Sequence, residues 1–274
     1  MSEKTKWQPT ILSSFLLFIV SAVGLNAQEN SLADQIEEGF LSGVESRETA
    51  SRNQVNALES EEGVLYVDRM KRYRMNALGG RNSVYVRAPS GATFDKGNYG
   101  RGDNKTLRIR FSKKAYDGPY GQGGWCGFYT ILKNRRLFSK NDGFLDASKY
   151  NYITFWVKSE SGEESENFCL GVADKMWSLI DDSMKTEPIG NYLPEGRLTN
   201  EWQLAVIPLS DVFIDWSLVN SLAICFEGDL FEDGEGGGTI YIDDIAFRVE
   251  EPDPRERTAS GMESVSQAES SDNP

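Results

Sequence analysis

The most regular hydrophobic pattern in the chain lies in two neighbouring segments, residues 152–158 and 168–175. In the first segment, Ile153, Phe155 and Val157 alternate with aromatic and polar residues, and the second segment repeats the alternation. Successive side chains of a β-strand point to opposite faces, so each segment has one apolar face and one mixed face. The pattern predicts antiparallel strands with one face on a core and the other presenting rings and charges.

The same alternation recurs along most of the chain. It is clear in residues 106–111 and 125–132, and shorter apolar segments occur at 64–68, 83–87, 92–94, 202–207, 222–226 and 239–247. Turn-forming residues separate these segments, and helical periodicity is almost absent. Many short strands joined by turns are typical of a β-sandwich, so residues 63–249 are predicted to form one all-β, antiparallel domain.

The N-terminus has the pattern of an export signal. Lys4 and Lys6 precede an apolar run at residues 11–25, which ends before Asn26-Ala27. This run is shorter than the roughly 20 residues that span a bilayer. A basic start, a short apolar stretch and a small residue at its end predict a bacterial signal peptide at residues 1–27, cleaved after Ala27. The mature protein is then secreted or periplasmic, with no membrane span, and an uncleaved anchor is the alternative.

The net charge of -13 at pH 7 is concentrated outside the predicted domain. Residues 28–62 form an acidic linker in which Leu32, Ile36 and Phe40 indicate one short helix. Residues 250–274 form an acidic, Ser-rich tail that is predicted to be disordered. Within the domain, basic residues dominate the first part and acidic residues the second. This split indicates either two halves that attract each other or a basic face for an anionic ligand.

Histidine and cysteine content restricts the chemistry. The chain contains no histidine, which excludes His-based catalytic triads, His metal sites and His general bases. Hydrolysis by a pair of carboxylates is not excluded. The three cysteines, Cys126, Cys169 and Cys225, have no metal-ligand spacing. They are either buried thiols or one disulfide with one cysteine left over.

Several segments match one family of domains in order. They are NALGG at 76–80, LRIRF at 107–111, GGWCGFYTIL at 123–132, FLDASKYNYITFWVKS at 144–159, NEWQLAVIPLSDVF at 200–213 and GTIYIDDIAF at 238–247. Together they resemble galactose-binding-like, jelly-roll β-sandwich domains of the carbohydrate-binding-module type, similar to family 11 modules and complex I intermediate-associated protein domains. The resemblance covers residues 63–249. The order and spacing of the segments are specific for the fold rather than for a ligand.

The resemblance implies a glycan on a sheet face or in edge loops. An aromatic ring packs against the apolar face of a pyranose, while polar side chains bind its hydroxyls. The predicted ligand-binding residues are Trp125, Tyr129, Trp156, Lys158, Asp174, Lys175, Trp177 and Glu227. For Trp125 and Trp156 the alternative is burial under a loop. Trp202 is assigned to the core, because it shares a strand face with Leu204 and Val206.

The resemblance also implies a structural calcium ion. Asp243 in the last predicted strand is its expected ligand, with Asp68 in the first strand as a partner. Calcium requires about six to eight oxygen ligands. Where the family often has a glutamate after the first-strand aspartate, this chain has Arg69-Met70. The acidic loop at 229–235 is an alternative source of ligands.

These observations favour an exported, non-catalytic domain that holds a polysaccharide on an aromatic and polar sheet face. Lys158 and Lys175 tilt the expected ligand slightly toward acidic glycans, and no nucleic-acid partner is expected. One alternative is a β-sandwich polysaccharide lyase or hydrolase with Tyr129 or a carboxylate as the base. A second alternative is a scaffold domain that binds another protein.

Overall fold

A computed structural model describes residues 63–101, 105–114, 124–133, 143–162, 168–227, 231 and 235–258. The predicted signal peptide, the acidic linker with its helix, and the tail beyond residue 258 lie outside these residues. Within them, no helix is long and apolar enough to cross a bilayer.

The described residues form two antiparallel sheets. The six-stranded sheet contains β1 (Val64–Asp68), β3 (Gly91–Gly97), β4 (Thr106–Lys113), β6 (Tyr152–Ser159), β9 (Gln203–Pro208) and β11 (Gly236–Arg248). Its order is β3-β4-β11-β6-β9, and β1 also pairs with β11. The five-stranded sheet contains β2 (Asn82–Val86), β5 (Cys126–Ile131), β7 (Cys169–Asp174), β8 (Met184–Lys185) and β10 (Val219–Phe226), in the order β2-β5-β10-β7-β8. Short 3₁₀ turns occur at Trp177–Leu179, Ile189–Tyr192, Leu209–Asp211, Trp216–Leu218 and Pro254–Glu256.

The main core lies between the two sheets, as the alternation predicts. Phe111 of β4 stacks on Phe226 of β10 with ring centroids 3.7 Å apart. Phe94 of β3 meets Phe128 of β5 edge to face at 5.2 Å. The apolar residues of the opening pattern are completely buried in this core. The prediction of an all-β, antiparallel sandwich is therefore confirmed.

The segment at residues 76–80 fixes β5 to the start of β2. The Asn76 side-chain amide donates to Thr130 Oγ1 at 2.7 Å and to the Ile131 carbonyl at 2.8 Å, and its oxygen accepts from the Gly80 N–H. Gly80 lies so close to β5 that an added Cβ would be 1.6 Å from the Ile131 oxygen. A larger residue at position 80 would therefore push β2 away from β5.

The C-terminal segment corrects one predicted boundary. The composition predicts a disordered tail over residues 250–274, but the Leu204 N–H donates to the Arg257 carbonyl at 2.8 Å, and Thr258 forms a bridge with Gln203. Acidic and proline-rich composition indicated disorder, whereas the free backbone groups at the outer edge of β9 give this segment hydrogen-bond partners. That part of the disorder prediction is wrong.

Candidate functional site

The outer face of the five-stranded sheet has a floor of small side chains. Gly127, Gly171, Ala173 and Ala223 face outward from β5, β7 and β10, while larger residues between them face the core. An added Cβ at Gly171 would lie 2.5 Å from the Ser183 hydroxyl oxygen. Tyr85 covers Gly127, and Ser183 and Cys225 cover Gly171, so the open trough on this face lies over Ala173 and Ala223.

A cleft of about 360 Å³ occupies this trough. Its lining residues are Tyr85, Tyr129, Ile131, Ala173, Ser178, Asp181, Asp182, Ser183, Asn220, Ser221, Ala223 and Cys225. Ligand pockets are typically about 300–1,000 Å³ and combine apolar surface with a few polar groups. The lining thus has the size and the mixture of rings, hydroxyls and carboxylates that suit a small polar ligand.

Aromatic side chains form one side of the cleft. Tyr129 projects from β5 and is partly exposed, and its register partners are Ser83 on β2 and Ala223 on β10. The rings of Tyr85 and Trp125 are tilted at 44° with centroids 5.6 Å apart. Trp125 and Tyr129 therefore lie on one outer face, as the sequence pattern predicts, and Trp125 extends the aromatic surface through Tyr85.

The opposite wall is the segment 176–183, and Asp174 holds it in place. One carboxylate oxygen of Asp174 accepts from the Met176 and Trp177 N–H groups at 2.7 and 2.9 Å, and the other accepts from the Asp215 N–H at 2.9 Å. The Asp174 side chain is buried. Its oxygens position the wall, and its predicted contact with a ligand stays a prediction. Among described residues, the cleft lining does not include Lys175 or Trp177, which lie beside the end of β7.

A chain of ion pairs extends from the cleft-lining residue Asp182. The ammonium of Lys185 lies 3.1 Å from an Asp182 oxygen and 3.5 Å from a Glu227 oxygen. Burial alone would raise the pKa of Asp182, but the Ser183 N–H and Lys185 hold it below its usual value. Glu227, a predicted ligand-binding residue, is engaged with Lys185 and is not among the described residues that line the cleft. Asp182 remains ionised at neutral pH and is an acceptor for hydroxyl groups.

Trp156 and Lys158 lie on the other sheet. Strand β6 belongs to the six-stranded sheet and β5 to the five-stranded sheet, so these residues do not share a face with Trp125 and Tyr129. The prediction of one common binding face is wrong. Alternation within a strand shows which residues point the same way, but it does not show which sheet the strand joins.

The outer face of the six-stranded sheet is covered where Trp156 lies. Trp156 is only 5% exposed, and the Arg101 guanidinium lies 4.5 Å from its ring centroid. Trp202 donates its indole N–H to the Gly100 carbonyl at 3.2 Å, and the Lys158 ammonium lies 5.4 Å from the Trp202 ring. Burial under a loop, the alternative for Trp156, is what the structure shows. Trp202 is buried as predicted, but in this second cluster rather than between the sheets.

The predicted calcium ligands bind cationic side chains instead. Asp68 Oδ2 lies 2.6 Å from the Lys96 ammonium, and Asp243 Oδ2 lies 3.1 Å from the Arg101 guanidinium. The other oxygen of each carboxylate accepts a backbone N–H. In the described part of the chain no cluster of three or more acidic or cysteine side chains could hold a metal ion. Asp68 and Asp243 therefore do not fit a calcium site, because calcium requires oxygen ligands that are free of competing cations.

Several residues of the cleft were not predicted from the sequence. Tyr85 on β2, Ser221 on β10 and the pair Asp182-Ser183 all line it. In β10, the smaller residues Ser221, Ala223 and Cys225 alternate with larger apolar residues. This pattern indicates the floor of a trough. The contribution of residues 181–183 depends on how the wall folds back over β7, which no local pattern indicates.

Comparison with known proteins finds similar structures among carbohydrate-binding modules and a glycoside hydrolase. A family 11 carbohydrate-binding module from Clostridium thermocellum, solved with a β-1,3-1,4-mixed-linked tetrasaccharide, is 14% identical over 68% of this chain and 95% of that chain, with a TM-score of 0.47. A β-1,2-glucanase from Parabacteroides distasonis is 14% identical over 69% of this chain and 26% of that chain, with a TM-score of 0.47.

A third similar structure is a module of family 28 specific for non-crystalline cellulose, 10% identical over 57% of this chain and 82% of that chain, with a TM-score of 0.35. None of the curated proteins matches the chain. The family model described as carbohydrate binding domain 30 matches residues 44–249. The resemblance stated from sequence motifs is confirmed, and since this model spans most of the chain, the protein belongs to the carbohydrate binding domain 30 family.

Proposed function

We propose that this carbohydrate-binding domain holds a neutral polysaccharide in the cleft on the outer face of the five-stranded sheet. The observation that supports this most directly is the partly exposed Tyr129 ring beside a small-residue floor and a wall of hydroxyl and carboxylate groups. An aromatic plane next to several hydrogen-bonding groups suits the two chemically different sides of a pyranose.

The polar groups of the cleft favour a neutral over an acidic glycan. Its described lining contains the carboxylates Asp181 and Asp182 and no lysine or arginine. The nearby Lys185 is already paired with Asp182 and Glu227. A uronate placed here would meet like charges, which disfavours it. The slight preference for acidic glycans expected from Lys158 and Lys175 does not apply, because Lys158 belongs to the other sheet and Lys175 lies outside the cleft lining.

The contacts available predict modest affinity. Stacking on Tyr129 and each hydrogen bond to a sugar hydroxyl contribute about 1 kcal/mol net. A few such contacts correspond to dissociation constants in the roughly micromolar to millimolar range. We expect the ligand to be a segment of a polysaccharide chain.

Affinity electrophoresis with soluble neutral glucans, mannans and polygalacturonate tests the proposal. Tyr129→Ala should lower retention by a neutral polysaccharide at least tenfold, and Ala223→Phe should abolish it by filling the trough floor. The matched control is Phe213→Ala, since this aromatic is 92% exposed and is not part of the cleft lining.

The melting temperature of each variant should stay close to that of the parent. The proposal fails if Tyr129→Ala and Ala223→Phe fold and are retained as well as the parent, or if polygalacturonate is bound more tightly than the neutral chains. Release of reducing ends during the assay would point to the lyase or hydrolase alternative.

We also propose that the protein is exported. The basic start and short apolar run at residues 11–25 support cleavage after Ala27. N-terminal sequencing of the protein recovered from the periplasm or medium should begin at Gln28. A protein that remains in the cytoplasm with Met1 intact would contradict the proposal.

A further inference from the structure

Two cysteines lie directly opposite each other on adjacent strands under the cleft. Cys169 of β7 and Cys225 of β10 are register partners in the antiparallel ladder. Partners of this kind have Cα atoms about 4.5 or 5.5 Å apart, depending on whether they exchange backbone hydrogen bonds. Both separations fall within the range of roughly 4.4–6.8 Å that a disulfide spans.

Both thiols point to the same side of the sheet. Leu170 and Ile224, the neighbours of the two cysteines along their strands, face the main core, whereas Cys169 and Cys225 are not part of that core. Alternation therefore places both cysteine side chains on the outer face. The sulfur of Cys169 lies 3.9 Å from the carbonyl oxygen of Cys225, so it already extends over its partner's strand.

The surroundings leave room for the two sulfurs. An added Cβ at Gly171 would lie 2.9 Å from the Cys225 sulfur, so the glycine leaves the space that this thiol occupies. On the other side, the Tyr85 ring covers Gly127, the register partner of Cys225. Both cysteines are buried free thiols in the structure, and as direct register partners they have no residue of their two strands between them.

The third cysteine cannot reach either of the others. Cys126 on β5 belongs to the main core and is the register partner of Phe226, so it points to the opposite face of the sheet from Cys225. Strand β10 also lies between β5 and β7. Two strand spacings amount to about 9–10 Å, which is too far for a direct bond to Cys169.

We propose that Cys169 and Cys225 form a cross-strand disulfide and that Cys126 stays a thiol. With oxidised glutathione as the oxidant, one cysteine thiolate attacks a glutathione sulfur, and a glutathione thiolate leaves. The second cysteine thiolate then attacks the mixed disulfide and releases the second glutathione. The protein loses two protons and two electrons, and one molecule of oxidised glutathione becomes two of the reduced form.

The bond would constrain the wall of the cleft. It closes a loop from residue 169 to residue 225, which contains the segment 176–183. A cross-link lowers the conformational freedom of the unfolded chain, so the oxidised protein should melt at a higher temperature than the reduced protein.

Thiol counting and peptide mapping test the proposal on the full chain. The protein is unfolded, refolded in a buffer of oxidised and reduced glutathione, and then denatured for thiol titration. We expect one reactive thiol per chain, and three after reduction, because the chain has three cysteines. Proteolytic mapping should give a peptide that joins Cys169 to Cys225. Three thiols in the oxidising buffer, or a linkage that includes Cys126, would overturn the proposal.

Two single variants form a matched pair. Cys126→Ala should keep the cross-link and the difference in melting temperature between oxidised and reduced protein. Cys169→Ala should show two free thiols and lose that difference. If Cys169→Ala retains a cross-link, the assignment is wrong. If either alanine variant does not fold, the peptide map of the parent chain alone decides the outcome.

Discussion

The ammonium of Lys96 lies 2.6 Å from Oδ2 of Asp68, and both side chains are almost completely buried between β1 and β3. Burial raises the pKa of Asp68 and lowers that of Lys96, although each charge favours the ionised form of the other. Removing both groups from water costs free energy that their mutual attraction offsets. We therefore expect the pair to be needed as a unit rather than to add net stability.

Removing one partner should be much more harmful than changing both. Lys96→Met leaves a buried carboxylate without its cation and should lower the free energy of unfolding by about 3–5 kcal/mol. Asp68→Asn combined with Lys96→Met removes both charges and keeps an oxygen that can accept the Met70 N–H, so the double variant should lose less. Urea unfolding measures both values. A double variant that is as unstable as the single variant would show that the pair is net stabilising.

Calcium should not change the stability of this domain through Asp68 and Asp243. Each carboxylate already binds a cationic side chain, so a calcium ion would have to displace Lys96 or Arg101. We expect the same melting temperature in the presence of a chelator and in millimolar calcium. A rise in melting temperature with calcium that Asp243→Asn abolishes would contradict this expectation.

Trp156→Ala should act on stability rather than on glycan binding. The ring is buried under Arg101 and packs with Trp202 and Tyr241, so its removal leaves a cavity. Replacement of a buried tryptophan by alanine costs about 3–5 kcal/mol. Calorimetry should show a lower melting temperature, while the folded fraction retains its affinity. Loss of binding at an unchanged melting temperature would place the ligand on the six-stranded sheet.

Asp243 should make the fold less stable as the pH rises through the weakly acidic range. Burial and the neighbouring Asp244 raise the pKa of Asp243 to about 6, and Arg101 only partly opposes this. In the unfolded chain the pKa is about 3.9, so the folded chain holds the Asp243 proton more tightly than the unfolded chain does. The stability that this tighter proton binding contributes is complete below about pH 4 and is lost as the pH rises through about 6. Asp243→Asn should flatten that part of a melting-temperature profile between pH 4 and 7. An unchanged profile would mean that another group titrates.

The fold was predictable because period-two alternation is a local property. Ile153, Phe155 and Val157 face the core as their spacing predicts, and the position of Tyr129 on an outer face follows in the same way. The distribution of strands between the sheets was not predictable, because it depends on pairing between segments that are distant in sequence. For the same reason Trp156 looked equivalent to Trp125 in the sequence but lies on the other side of the sandwich.

The cleft was only partly predictable. The sequence indicated rings and charges, but the role of Asp174 depends on three backbone N–H groups, one of which belongs to Asp215, far along the chain. The exclusion of Asp68 and Asp243 as a metal site depends on Lys96 and Arg101, which come from β3 and the segment after it. Long-range partners of buried carboxylates leave no pattern in the sequence around them.

The contact of residues 257–258 with β9 should protect the domain from self-association. β9 is the last strand of the six-stranded sheet, and an uncovered edge offers its backbone groups to another chain. Arg257 and Thr258 occupy that edge. A chain ending at Val249 should keep both sheets but form dimers and larger species as its concentration increases, detectable by light scattering. A chain that ends after residue 258 should stay monodisperse. For expression, the domain therefore ends beyond its last sheet strand.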